Sequence, residues 1–182
     1  MKRTKSHEKE LIVLANDPSL TGWGYTVINA QLEVLTTGCI KTSPESKKRR
    51  IRSSDDFCRR MHDLTMELKQ VIQKYNVTYI VSELPHGSQS ASAMKMVGAV
   101  SALGTAIADC LGIPIEWYSE GDCKKELLGK VSATKEETIV GIKQFYDVKW
   151  TGVKYKDEAI ADSLAVFHVA RENSPTINYL TK

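Results

Sequence analysis

No stretch of this chain is apolar for the length of a membrane span. The N-terminus, Met1-Lys-Arg-Thr-Lys-Ser-His-Glu-Lys-Glu10, is charged and lacks the apolar core of a secretory signal. These two absences predict an intracellular protein with no membrane partner. Cysteine is sparse and scattered: Cys39, Cys58, Cys110 and Cys123 form no Cys-x-x-Cys pair and have no histidine at zinc spacing. That excludes a zinc module of the usual pattern and leaves ordinary reduced thiols. Internal repeats, low-complexity blocks and linker-like segments are also missing, so no second domain is expected. What remains, 182 residues of which 42% are hydrophobic and 26% charged, suits one folded domain over 11–182 behind a polar tail at 1–10.

Charge is present but uneven. Residues 41–60 hold eight Lys/Arg (Lys41, Lys47, Lys48, Arg49, Arg50, Arg52, Arg59, Arg60) against three acids, a local excess of five in a chain whose net charge is +3. Such a patch is the footprint of a polyanionic partner, and a solvated loop or a nuclear import signal gives the same pattern.

Leu11 to Ile28 reads as a strand ending on Asp17, a Pro/Ser/Thr/Gly turn and a returning strand. Gln31–Ile40 makes a third strand of a meander. A helix is expected from a Ser54 cap to about Tyr75, with Phe57, Met61, Leu64, Leu68, Val71, Ile72 and Tyr75 at helical spacing. Val77–Ser82 is a fourth strand running into Glu83, and the small apolar run Ala91–Leu111 is a helix pressed against a sheet. Ile113–Tyr118 is a fifth strand. Helices follow at 120–128, from the capping box at Thr134 to about Tyr146, and at about 157–171. The order predicts an α/β fold: a five-stranded mixed sheet with helices on both faces.

Two strands thus end on acids, Asp17 and Glu83. A turn-closing Asp accounts for Asp17 taken alone. If strands one and four are neighbours, however, the carboxylates converge, which structure alone does not require. In the last helix Glu158 and Asp162 lie four apart on one face, beside Ala161 and Ala165. First-turn acids favour the helix dipole, which explains Asp157 and Glu158 but not Asp162 in the second turn. Carboxylates gathered from distant segments make a hard-oxygen site for Mg²⁺ or Mn²⁺, and two such ions about 4 Å apart can drive phosphodiester hydrolysis.

With these residues in hand the chain resembles the RuvC-type Holliday junction resolvases of the ribonuclease H-like superfamily. The resemblance runs from about Leu11 to Ala170. It rests on the Asp17 hairpin, Glu83, Ala161-Asp-Ser-Leu-Ala165, Gly38-Cys-Ile-Lys-Thr42, the Gly98 helix, and above all the segment Cys123-Lys-Lys to Ser132-Ala-Thr-Lys135. It implies a Mg²⁺-dependent endonuclease, with Mn²⁺ as a substitute, that works as a homodimer and nicks opposing strands of a four-way DNA junction. Asp17 bridges the metals in that picture, with Glu83, Asp162 and Glu158 as further ligands. Lys135 serves the scissile phosphate, and Lys124 and Lys125 lie on the DNA face. The basic loop Lys47, Lys48, Arg49, Arg50 and Arg52 is expected to reach the phosphates of a DNA arm.

This sequence departs from the family pattern at four points. Ala159 stands where the first acid of an Asp-x-x-Asp pair is usual, and Glu158 is preferred to Asp157 as its replacement. Asn16 replaces an aliphatic residue and Ser19 a glycine. His86 occupies the position of an aromatic wedge, where it is expected to stack on a junction base or to sit in an exposed turn. Trp23 is expected in the core. Competing activities are broader debranching, hydrolysis of RNA/DNA hybrids, and junction binding without catalysis. An ATP-binding fold of the actin type requires a longer chain. The expected location is the cytoplasm of a bacterial or phage-infected cell, with an organelle or nucleus as the alternative.

Overall fold

The computed structural model describes residues 10–46, 51–87 and 89–181. Five strands, β1 (Ile12–Asp17), β2 (Gly22–Asn29), β3 (Val34–Lys41), β4 (Tyr79–Leu84) and β5 (Ile115–Ser119), form one sheet in the order β3-β2-β1-β4-β5. The β1/β2 and β2/β3 pairs are antiparallel, while β4 runs parallel to both β1 and β5. The mixed sheet expected from the sequence is therefore present. Because β1, β4 and β5 share a direction, their C-terminal ends meet on one edge.

β1 lies at the centre and is buried on both faces, which is why Ile-Val-Leu-Ala reads as a continuous apolar run rather than an alternation. Its Val13 and Ala15 face a core shared with α5 (Lys154–Asn173), α3 (Glu120–Leu128) and α4 (Lys135–Phe145). Ile12 and Leu14 face the opposite core, built on α1 (Ser53–Tyr75) and α2 (Ala91–Leu111). In α1 the buried stripe is Arg60, Leu64, Leu68 and Ile72, at the spacing that keeps one helical face inward. The helix begins one residue before the expected Ser54 cap, with Arg52 at the cap position and no side-chain cap bond. Thr134 does form the expected capping box with Glu137. A short helix that the sequence pattern did not announce, α6 (Pro175–Thr181), closes the far side of α5.

Two further points correct expectation. α2 is long and apolar enough, by length and composition alone, to cross a membrane, although it contains Lys95 and Asp109. In this fold Val100, Gly104, Ile107 and Ala108 pack inward and much of the remaining surface is open. The basic patch is also less free than its composition implies. Arg60 is buried and donates to Thr42 Oγ1 (2.8 Å), Thr21 Oγ1 (3.2 Å) and the Leu20 carbonyl (3.3 Å), tying down the turn that follows Asp17. Arg59 pairs with Asp56 and Asp63.

α5 is buried on every side from Ala159 to Ala170, and it is seated by close contacts with β2. Gly24 lies under the Ala159 backbone so tightly that a Cβ there would sit 2.2 Å from the Ala159 carbonyl oxygen. One turn on, the Thr26 and Ser163 hydroxyls are 2.8 Å apart and hydrogen-bonded. Gly24→Ala is therefore expected to destabilise the fold by about 3 kcal/mol, since the overlap is with backbone that cannot rotate away. Urea unfolding of the variant beside wild type measures it.

Candidate active site

Each acid is delivered by a different element. Asp17 ends β1. Glu83 lies on β4, one residue past the Asn16/Ser82 pair in the parallel ladder, so the two carboxylates belong to neighbouring strands about 4.8 Å apart. Asp162 projects from the third turn of α5, its depth set by the Gly24 and Thr26 contacts. The Lys135 ammonium, at the start of α4, reaches across and forms a short hydrogen-bonded ion pair with Asp162. Asp17, Asp162 and Lys135 line a cleft of about 370 Å³ together with Lys41, Tyr155 and Glu158. Glu83 lies just behind, 7% exposed.

The electrostatics follow from burial of like charges. Burial first, then the charge of Asp162, push the Asp17 carboxyl up to about 7 from 3.8. Burial, followed by the charges of Asp17 and Asp162, pushes Glu83 up to about 9 from 4.5. Asp162 is also raised by burial, although Lys135 opposes the shift. Burial alone would lower the Lys135 ammonium; Asp162, with Asp17 and Glu83 beyond it, overcomes that and raises it. The site holds more negative charge than one lysine balances.

Of the four acids expected as metal ligands, Asp17, Glu158 and Asp162 line the cleft and Glu83 does not. Glu158 lines it, 24% exposed, with Lys154 at 3.7 Å. Asp157 is occupied elsewhere: its carboxylate accepts from Thr151 and Gly152 and closes the loop before α5. Ala159 lines the cleft and presses on Gly24. Among the described residues no group of three or more His, Cys, Asp and Glu side chains is drawn to metal-binding distance. The donor set nonetheless fits a hard cation, being all carboxylate oxygen, buried and under-neutralised, with Lys135 already acting as a cation beside Asp162.

The expected DNA-facing residues divide. Lys124 is largely covered and ion-paired to Glu120 at 2.5 Å, and His86, well exposed, lies 3.2 Å from the same carboxylate. Lys125, a hundred degrees round α3, lines a separate groove with Tyr118 and Asn173 and is not brought to the cleft. Arg52 is exposed at the start of α1 and bound through two hydrogen bonds to Asp55. Lys47, Lys48, Arg49 and Arg50 lie outside the described residues. Lys41 and Tyr155 of the cleft, and Glu120 beside Lys124, were not assigned to the site from the sequence. Lys41, at the end of β3, stands 4.8 Å over the Tyr155 ring, and Glu120 follows β5 as Asp17 ends β1. Lys41 and Glu120 carry the signal of an ionisable residue at a strand end, which the sequence reading applied to two other strands; Tyr155, in the first turn of α5, carries no such signal.

The unusual residues beside Asp17 have local reasons. Asn16 accepts a hydrogen bond from the indole N–H of the fully buried Trp23 (3.1 Å), and the Ser19 hydroxyl accepts from the Thr21 N–H (3.3 Å) within the turn.

A β3-β2-β1-β4-β5 sheet with acids from β1, β4 and the helix crossing its face defines a protein of the ribonuclease H-like class. The chain belongs to the RuvC family of crossover junction endodeoxyribonucleases, whose family model, "Crossover junction endodeoxyribonuclease RuvC", matches residues 13–169. Among curated proteins it is similar to the enzyme of that name from Shewanella frigidimarina, at 27% identity over 160 residues and 86% of each chain. The Baumannia cicadellinicola enzyme is 30% identical over 130 residues, 69% of each chain. Among solved structures, T. thermophilus RuvC in complex with Holliday junction substrate superposes with a TM-score of 0.69 at 21% identity, covering 87% of this chain and 92% of that one. The yeast mitochondrial Holliday junction resolvase Ydc2 gives 0.60 at 13% identity, over 93% and 81%.

The raised carboxyls predict a pH-dependent stability. Glu83 keeps its proton in the folded state to about 9, whereas its ordinary value is 4.5. Its contribution is thus fully present below the ordinary value and lost as pH rises through the folded one. In EDTA, Glu83→Gln is expected to melt at least ~3 °C above wild type at pH 8. Near pH 4 the two should coincide, and thermal melts across that range measure the difference.

Proposed function

We propose that the cleft is the hydrolytic centre of a homodimeric Holliday junction resolvase that nicks two opposing strands of a four-way junction. Membership of the RuvC family makes the chain a crossover junction nuclease. The observation that carries the catalytic assignment is the convergence of Asp17, Glu83 and Asp162 with Lys135 from four separate elements. We assign Asp17, Glu83, Asp162 and Glu158 to Mg²⁺, with Mn²⁺ as a substitute. When bound, the divalent ion would supply the charge that activates water and stabilises the leaving oxygen.

The chain's own residues do the rest. Asp17, at the end of β1, fixes the position of the centre through the hairpin that Arg60 anchors. With a cation held by Asp162, the Lys135 ammonium now paired with that carboxylate would be available to a non-bridging oxygen of the scissile phosphate. Lys124, Lys41 and His86 stand round the opening and are assigned to neighbouring phosphates and bases, with Tyr155 as a stacking surface. Lys47, Lys48, Arg49, Arg50 and Arg52 are assigned to an arm's backbone, where contacts add affinity without sequence information. We propose one nuclease domain over 11–182, working in the cytoplasm of a bacterial or phage-infected cell.

The open surface of α2 supports the homodimer. Met96, Ala102, Ala106 and Leu111 are exposed along one helix, and Ala106 and Leu111, with Leu103 and Ile107, line an apolar groove of about 280 Å³ that Thr65 and Lys69 of α1 complete. A second copy packed there by twofold symmetry would cover the patch and offer two clefts to a junction of near-twofold symmetry.

Two experiments test these assignments. Asp17→Asn should lower cleavage of a synthetic four-way junction in Mg²⁺ by at least ~10³-fold while binding in EDTA is kept; cleavage close to wild type overturns the metal assignment. Run on junction, linear duplex, flap and RNA/DNA hybrid, the same assay separates junction resolution from debranching and hybrid hydrolysis. Ala106→Glu should convert a dimer to monomers in sedimentation and uncouple the paired nicks, whereas an unchanged sedimentation coefficient removes α2 as the interface.

A further inference from the structure

Glu120 is an acid that the proposed chemistry does not use. It stands where β5 passes into α3, the third carboxylate on the edge where Asp17 and Glu83 end their strands. The Ser119 hydroxyl accepts from the Asp122 N–H at 3.1 Å and sets the start of α3, so the direction of the Glu120 side chain follows from a fixed helix end. Its two oxygens are separately engaged: Oε1 is 2.5 Å from Lys124 Nζ and Oε2 is 3.2 Å from His86 Nε2. Glutamate one turn before lysine is the favourable order for such a pair on a helix. Lys124 and Glu120 are only 14% and 23% exposed, which limits screening by salt. The two partners come from different segments, the turn after β4 and the body of α3, and both are residues assigned above to DNA.

We propose that Glu120 is a built-in stand-in for a DNA phosphate: its carboxylate occupies Lys124 and His86 in the free protein, must be displaced when DNA binds, and so holds down affinity for DNA until divalent cations enter the cleft. The inference rests on the assignment of Lys124 and His86 to DNA. A carboxylate presents two oxygens of like charge, as a phosphodiester presents two non-bridging oxygens, and both take an ammonium and an imidazole N–H at the same distances. An incoming phosphate therefore competes with Glu120 for the same donors. The displaced carboxylate then adds its charge to an edge that already carries the acids Asp17 and Asp162, which repels the phosphate further. Divalent cations bound to those acids reduce that repulsion, so the competition is felt most in their absence. Burial would raise the Glu120 carboxyl, but the Lys124 hydrogen bond and charge hold it below the usual range.

The test is binding of a fluorescently labelled four-way junction in EDTA at low salt by wild type, Glu120→Gln, Glu120→Ala, Lys124→Ala and the Glu120→Gln/Lys124→Ala double variant. Removing the carboxylate is expected to tighten binding about 5-fold, a gain that shrinks at high salt and in Mg²⁺. Lys124→Ala should weaken binding, and in its background Glu120→Gln should have no more than a small effect, because the competition has lost its object; a purely structural role does not give that coupling. If Glu120→Gln leaves affinity unchanged while Lys124→Ala weakens it, the stand-in is wrong and the DNA face is intact. If Lys124→Ala also leaves affinity unchanged, the DNA face itself is misassigned and the inference falls with it. If Glu120→Gln instead raises the Mg²⁺ needed for half-maximal cleavage about 10-fold with unaltered binding in EDTA, Glu120 belongs to the metal centre and the inference is overturned.

Discussion

Two carboxylates at the ends of adjacent parallel strands, one ladder spacing apart and buried, repel each other unless a cation joins them. Most of the structure is arranged round that repulsion. Asp17 and Glu83 are held together because β1 and β4 are the most enclosed strands of the sheet and cannot slide apart without exposing two cores. Asp162 is forced toward the same point by α5, which is buried on all sides and seated on Gly24 with almost no clearance. The fold thus overrides an unfavourable charge arrangement, and the carboxyl groups respond by retaining protons well above their ordinary range.

The cations fall into two groups that follow from this. Some serve the scaffold: Arg60 is buried against the turn after Asp17, and Arg59 is taken up by Asp56 and Asp63. Others answer the acids of the cleft, Lys135 at Asp162 and Lys124 at Glu120. Both pairs are partly screened from water, Lys124 and Asp162 being 14% and 6% exposed at their side chains.

The five strands of a mixed sheet and the helices on both its faces were legible in the sequence, because continuous apolar runs and helical periodicity are local patterns; the adjacency of β1 and β4 was not. The resemblance through Cys123 to Lys135 added the family. Local pattern was less informative about what lies off its own element. The cap of α1 falls at Arg52, two residues before the expected Ser54, α6 has no signal in the sequence pattern, and a helix turns Lys125 away from Lys124. Glu120 carried the same strand-end signal as Asp17 and was passed over because it also opens a helix, where an acid has an ordinary explanation.

The sequence alone determined the periodicities, and with them the sheet, the helices and the acids that each strand or helix carries. Only the tertiary structure decided which charges meet. Asp157 and Glu158 are neighbours in sequence, yet one closes a loop and the other lines the cleft. Arg59 and Arg60 look alike in composition, yet one is at the surface and the other in the core. Lys135 lies 27 residues from Asp162 and touches it. Secondary structure follows from interactions within a few residues, whereas the energy of a charge depends on its solvent exposure and on neighbours brought from elsewhere, and those exist only once the chain has folded.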